Sequence, residues 1–215
     1  MRKAASSTNR KAASSGDEKI QGYMSEFSNG VFAFAITLLV LDIKLPAGTS
    51  KADLGSTLLS MWPNYLGFLI SFLVIGLYWS VYIRLFREII RTDRSLVILN
   101  LLYLLFIVVI PFSTSLISLY LSRLSVMVYA GLMAGAGYMH SLLRVHAGRR
   151  HRLVSAKHSN RSIRGGILLS LVTPVWFTVS IGIAFFSWLT AQLSWIVMIV
   201  VYSFLVHRLR YKVLL

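Results

Sequence analysis

Six apolar stretches, each long enough to cross a bilayer as a helix, constrain this chain more than any other feature. They run near 24–44, 58–83, 96–120, 125–146, 165–188 and 191–207, and a helix needs about 20 predominantly apolar residues to span the hydrocarbon core. Composition agrees: 56% of the residues are hydrophobic and only 13% are charged. A soluble fold of that composition would expose wide apolar patches, so the chain reads as an all-α polytopic membrane protein with six transmembrane helices. Pro46 follows the first stretch and Pro63 sits near the start of the second. Pro111 and Pro174 fall inside the third and fifth, where a kink is tolerated if neighbours satisfy the freed carbonyls.

Charge placement orients the spans. With six crossings both termini lie on one side, together with the 84–94 and 147–164 loops. Of the 22 lysines and arginines, only Lys44, Lys51 and Arg123 fall on the other side. The positive-inside rule then makes both termini cytoplasmic, and a helix count different by one would destroy the pattern. The net charge of +15 is thus spent on a membrane face, where it meets anionic lipid headgroups, and nucleic acid is not an expected partner.

Residues 1–20 are rich in Ala, Ser, Lys and Arg and read as a disordered basic tail, with 21–215 as one six-span domain. A cleaved signal sequence ending near Ala47 and Gly48 is the rival reading. The long polar leader and the length of the first span argue against it. No internal repeat is evident.

The first span, from Phe27 to Ile43, carries a polar group at its start, Thr37 in its middle and Asp42 at its end. On a helical wheel Phe34, Leu38 and Leu41 share one face, Thr37 lies beside it and Val31 extends it. Periodicity alone favours ordinary packing against neighbours or lipid. The polar punctuation points instead to a pore-lining helix. Ser28 and Asn29 lie one turn inside the membrane, where unpartnered polar groups are costly, so they face protein or water. Asp42 is either an acid that concentrates cations at a pore mouth or an interfacial partner of Lys44. Glu26 reads as a carboxylate at a helix N-terminus.

Asn64 and Asn100 read as interhelical hydrogen-bonding groups, and Gly131 and Gly135 as a weak GxxxG packing signal. Trp62, Trp188 and Trp195 fall near expected membrane edges. His140 lies inside the fourth span and reads as a hydrogen-bonded structural histidine; the others are His146, His151, His158 and His207. They make no HExxH and no histidine–carboxylate cluster, so neither a metal nor another cofactor is expected. There is no cysteine, which excludes disulfides and thiol chemistry. Acids are few and no nucleophile or phosphate-loop motif occurs, so an enzyme is a poor reading.

The run from Phe27-Ser28-Asn29 through Thr37, Leu38 and Leu41 resembles the first helix of the transmembrane protein 175 family, whose signature is R-x-x-x-F-S-D followed by an apolar helix. Tyr78-Trp79 through Arg84-Leu85-Phe86 and Leu99-Asn100 through Ile110-Pro111-Phe112 are similar to two further motifs of that family, in the same order. The likeness covers roughly the first half of the chain. It implies a potassium-permeable cation channel in a plasma membrane, bacterial by its single repeat. It also implies a homotetramer with the first helix of each subunit lining the pore.

The resemblance assigns the constriction to Phe34, with Thr37, Leu38 and Leu41 as flanking layers and Asp42 at the mouth. It also groups Tyr23, Phe27, Ser28, Asn29, Trp79, Tyr82 and Asn100 as the positions of a polar network. The departures fall on that network: the family arginine is Tyr23 here, its aspartate is Asn29, and two histidines are Tyr82 and Ile83. Such a set reads as an ionic network replaced together by a neutral one, which leaves no uncompensated buried charge. An apolar constriction implies modest selectivity for potassium over sodium. A proton-permeable or weakly selective leak channel and a small secondary transporter are the alternatives.

Overall fold

The computed structural model describes the backbone of residues 2–89, 91–149 and 160–213, and the side chains of 19–89, 91–148, 165–202 and 204. The described chain forms helices α1 (Arg2–Leu41), α2 (Leu54–Ser60), α3 (Trp62–Glu88), α4 (Arg94–Leu119), α5 (Arg123–Arg149), α6 (Asn160–Phe186) and α7 (Trp188–Val213). Five of these hold a segment long and apolar enough to cross a membrane: Lys19–Leu41 of α1, all of α3 and α4, Arg123–Gly148 of α5 and Gly165–Phe186 of α6. In α7 the described apolar segment is Trp188–Tyr202, shorter than the other five. The expected sixth stretch, 191–207, falls partly on residues whose side chains lie outside the described set, as do most of the 147–164 connector and His151, His158 and His207.

Two boundaries differ from expectation. The backbone of α1 is helical from Arg2, where a disordered tail is expected. Ala, Lys and Arg are strong helix formers, and a segment that joins an existing helix has no nucleus to form. The second apolar stretch divides at Met61 into α2 and α3. Pro63 occupies the first turn of α3, where a missing N–H breaks no intrahelical bond.

α1 lies at the edge of the bundle and packs on α3 and α4; α5 then joins α4 to α6, and α6 carries α7. α1 buries Met24, Ser28, Phe32, Ala35 and Leu39, a single stripe at helical spacing. Phe32 enters an aromatic cluster with Tyr82 and Tyr103, at ring centroid distances of 5.5 and 6.0 Å. Tyr82 stacks in turn on Phe86 at 4.2 Å. A second cluster, Tyr129, Phe177 and Trp195, ties α5, α6 and α7 together.

The α5–α6 contact centres on Pro174. Its ring lies so close to Gly137 that a Cβ there would sit 2.8 Å from Pro174 Cδ. Proline cannot bond the carbonyl four residues back. That carbonyl, of Ser170, accepts from Ser141 Oγ of α5 at 3.0 Å, so the kink is satisfied from a neighbouring helix. Of the GxxxG pair, Gly135 meets Phe106 of α4, whereas Gly131 faces open space.

Candidate functional site on the first helix

The buried stripe of α1 leaves an opposite stripe uncovered. Tyr23, Phe27, Gly30, Phe34, Thr37 and Leu41 recur at spacings of three and four, and all are exposed. Phe34 is 61% and Leu41 62% exposed, which in a bilayer means contact with lipid, a second subunit or a water-filled path. Leu38 is half-buried on the shoulder of this stripe. The expected constriction set therefore divides: Phe34, Thr37 and Leu41 point away from the bundle together, and Leu38 packs partly against it.

Thr37 has a defined polarity. Its Oγ1 donates to the Phe34 carbonyl at 2.9 Å. The hydroxyl proton is thus turned back onto the helix, and the oxygen lone pairs remain on the exposed side. Gly30, one turn before Phe34, has nothing within 4 Å of where a Cβ would lie. The stripe thus has one position without a side chain, between the aromatic rings of Phe27 and Phe34.

Asp42 follows the last residue of α1 and is half-buried. Among the described residues the ion pairs are Arg144–Glu88 and His146–Asp93, each at 3.1 Å, so the alternative pairing of Asp42 with Lys44 does not form. Glu26 is an exposed residue in the interior of α1, with six turns of helix before it. Its expected role at a helix N-terminus is therefore incorrect.

The positions grouped as a polar network separate into three parts. Ser28 and Asn100 are buried and bonded: Asn100 Nδ2 donates to Ser28 Oγ at 3.0 Å, and Ser28 Oγ donates to the Met24 carbonyl at 2.7 Å. The Tyr82 hydroxyl lies beside this pair at a geometry too poor for a hydrogen bond. Asn29 belongs to a second contact, in which Trp79 Nε1 donates to Asn29 Oδ1 at 3.0 Å. Tyr23 and Phe27 belong to neither, and stand on the uncovered stripe.

Sequence reasoning missed Gln21. Its amide donates to the carbonyls of Phe86 and Ile89, at 2.9 and 2.6 Å, and so closes the C-terminal end of α3, where backbone carbonyls have no helical partner. A lone glutamine at a helix base carries no signal that distinguishes it from a solvated residue. His140 departs from expectation too: it is buried against the Tyr103 ring at 5.7 Å, yet neither ring nitrogen has a hydrogen-bond partner.

Comparison with known proteins places this arrangement. The family described as endosomal/lysosomal potassium channel TMEM175 matches residues 23–111. A relative from Chamaesiphon minutus, described as a potassium channel, is 35% identical over 83% of this chain and 91% of its own length. A potassium channel from Streptomyces collinus is 33% identical over 77% of this chain and 83% of its own. The crystal structure of a lysosomal potassium-selective channel TMEM175 homologue from Chamaesiphon minutus superposes with a TM-score of 0.75 at 32% identity. It covers 87% of this chain and 98% of that one.

Proposed function

The chain belongs to the TMEM175 family, and from that premise we propose that it is a potassium-permeable cation channel whose pore is lined by α1. It is a multi-pass membrane protein and not an enzyme, as its relatives are ion channels. The observation that carries the pore assignment is the uncovered stripe of α1, aromatic and apolar apart from the hydroxyls of Tyr23 and Thr37. It lies opposite the face that the bundle buries. A soluble surface would not bear Phe34 and Leu41, and on the same face the oxygen of Thr37 keeps lone pairs free for a cation.

In this reading α7 supplies the sixth crossing, both termini are cytoplasmic, and the basic face lies against anionic headgroups of a bacterial plasma membrane. Four copies place four α1 helices around an axis. Four Phe34 rings form the constriction, closing it by dewetting or turning their faces to a passing cation. One turn on, four Thr37 oxygens replace part of the ion's hydration shell, and Leu41 adds an apolar ring. Leu38 shapes the pore from its margin, and Asp42 draws cations to its outer mouth. A site with so few fixed ligands favours potassium over sodium only modestly, through the lower dehydration cost of the larger ion.

The test is ion flux from liposomes that hold the purified oligomer. Potassium efflux faster than sodium efflux supports the reading, and Phe34→Ala raises it. A reversal potential that follows a proton gradient instead makes this a proton channel. Unchanged flux in a verified Phe34→Ala oligomer moves the constriction elsewhere.

A further inference from the structure

A second row of exposed residues runs beside the aromatic ones on the uncovered face of α1. Lys19, Gly22, Glu26, Gly30, Ala33 and Thr37 follow one another at steps of three and four, and all are exposed, so they share one side of the helix. Glu26 and Thr37 are separated by about three turns, or 16 Å along the axis at 1.5 Å per residue. Between them the row holds only Gly30 and Ala33. The carboxylate and the Thr37 oxygen thus face the same way, with no bulky side chain on the line that joins them.

Glu26 also differs in charge from what surrounds it. Gln21 bonds the carbonyls of Phe86 and Ile89, so the end of α3, with Arg87 and Arg91 exposed, lies beside the base of α1. Lys19 stands two turns before Glu26 on the same row. The acids near this end that could offset these cations are engaged elsewhere: Glu88 with Arg144 and Asp93 with His146, each at 3.1 Å. Among the described residues Glu26 pairs with no cation. Yet it lies within Lys19–Leu41, a segment apolar enough to cross a membrane. An unpaired acid there faces water or protein, not lipid. A basic surface repels cations, and a negative group on the lining of an entrance reverses that locally.

We propose that Glu26 is the residue that recruits cations at the pore entrance nearest the N-terminus. One carboxylate from each subunit offsets the basic surface and raises the local potassium concentration ahead of Phe34. The inference rests on the pore reading of α1 given above. It adds a charged residue to a lining otherwise described by rings and hydroxyls.

The experiment measures potassium current through the reconstituted oligomer in planar bilayers, at about 0.01 M and about 1 M KCl, where charges are screened over about 30 Å and 3 Å. Glu26→Gln is expected to lower current driven from the N-terminal side about tenfold at the lower concentration, the small end of what a charged cleft does to a counter-ion. At the higher concentration the current should match the wild type. Glu26→Asp keeps the wild-type current at both. The chain has no cysteine, so Glu26→Cys offers a single thiol per subunit. A negatively charged methanethiosulfonate added on that side should restore its low-salt current, and a positively charged one should lower it further. Equal low-salt currents in Glu26→Gln and the wild type overturn the proposal. So does a loss of the same size at both concentrations, or a cysteine variant that responds alike to the two reagents. Gly30→Leu distinguishes this result from the pore reading. Current that falls in Gly30→Leu but not in Glu26→Gln overturns the role of Glu26 alone, and current indifferent to both overturns the pore reading with it.

Discussion

Asn100 of α4 donates a hydrogen bond to Ser28 of α1 at 3.0 Å, between two side chains that are each almost completely buried. Ser28 passes its own proton to the Met24 carbonyl, so the bond has one direction. It pins the edge helix to the bundle at a fixed rotation. That rotation puts Phe34, Thr37 and Leu41 outward, since they lie on the other side of the same helix.

Asn100→Ala should loosen α1 by about 0.5–2 kcal/mol, the range for an interhelical hydrogen bond in a membrane protein. Thermal unfolding of the solubilised protein should show a lower midpoint. Ser28→Ala should lower it by a similar amount, because Asn100 Nδ2 then loses its acceptor. The double variant should fall short of the sum, because both changes remove one bond.

Gly30→Leu should introduce a second narrow ring one turn from Phe34. No atom stands within 4 Å of the new Cβ, so the subunit should fold unchanged. Potassium flux through the reconstituted channel should fall severalfold while the unfolding midpoint stays put.

Thr37→Val keeps the shape and removes the outward oxygen. The Phe34 carbonyl retains its helical bonding, so the effect should be on ions and not on folding. We expect potassium conductance to drop by about tenfold, equivalent to 1.4 kcal/mol at the barrier. The reversal potential in a potassium–sodium gradient should shift toward non-selectivity.

Two glycines of α5 should respond oppositely to one methyl group. A Cβ on Gly135 would lie 2.4 Å from Phe106 Cε1, so Gly135→Ala should force α4 and α5 apart and cost about 1–3 kcal/mol by overpacking. Gly131→Ala meets nothing and should leave the midpoint unchanged or slightly raised, since alanine favours a helix.

What the sequence determined is the part governed by the bilayer. Lipid cannot solvate a peptide group, so long apolar runs must be helices, and α1 and α3 to α6 all hold such segments. The signature residues of α1, Ser28 and Asn29, were also legible as groups that needed partners, because polar atoms in hydrocarbon demand them. The tertiary structure alone decided which partners these are. It gave Ser28 to Asn100 and Asn29 to Trp79, turned Tyr23 outward, and left Leu38 on the shoulder of the stripe. It also put Gln21 on the end of α3 and left the nitrogens of His140 unbonded. A helical wheel fixes only the angles between residues on one helix. The rotation of that helix, and so which face meets water, comes from interhelical packing and from a few long-range hydrogen bonds.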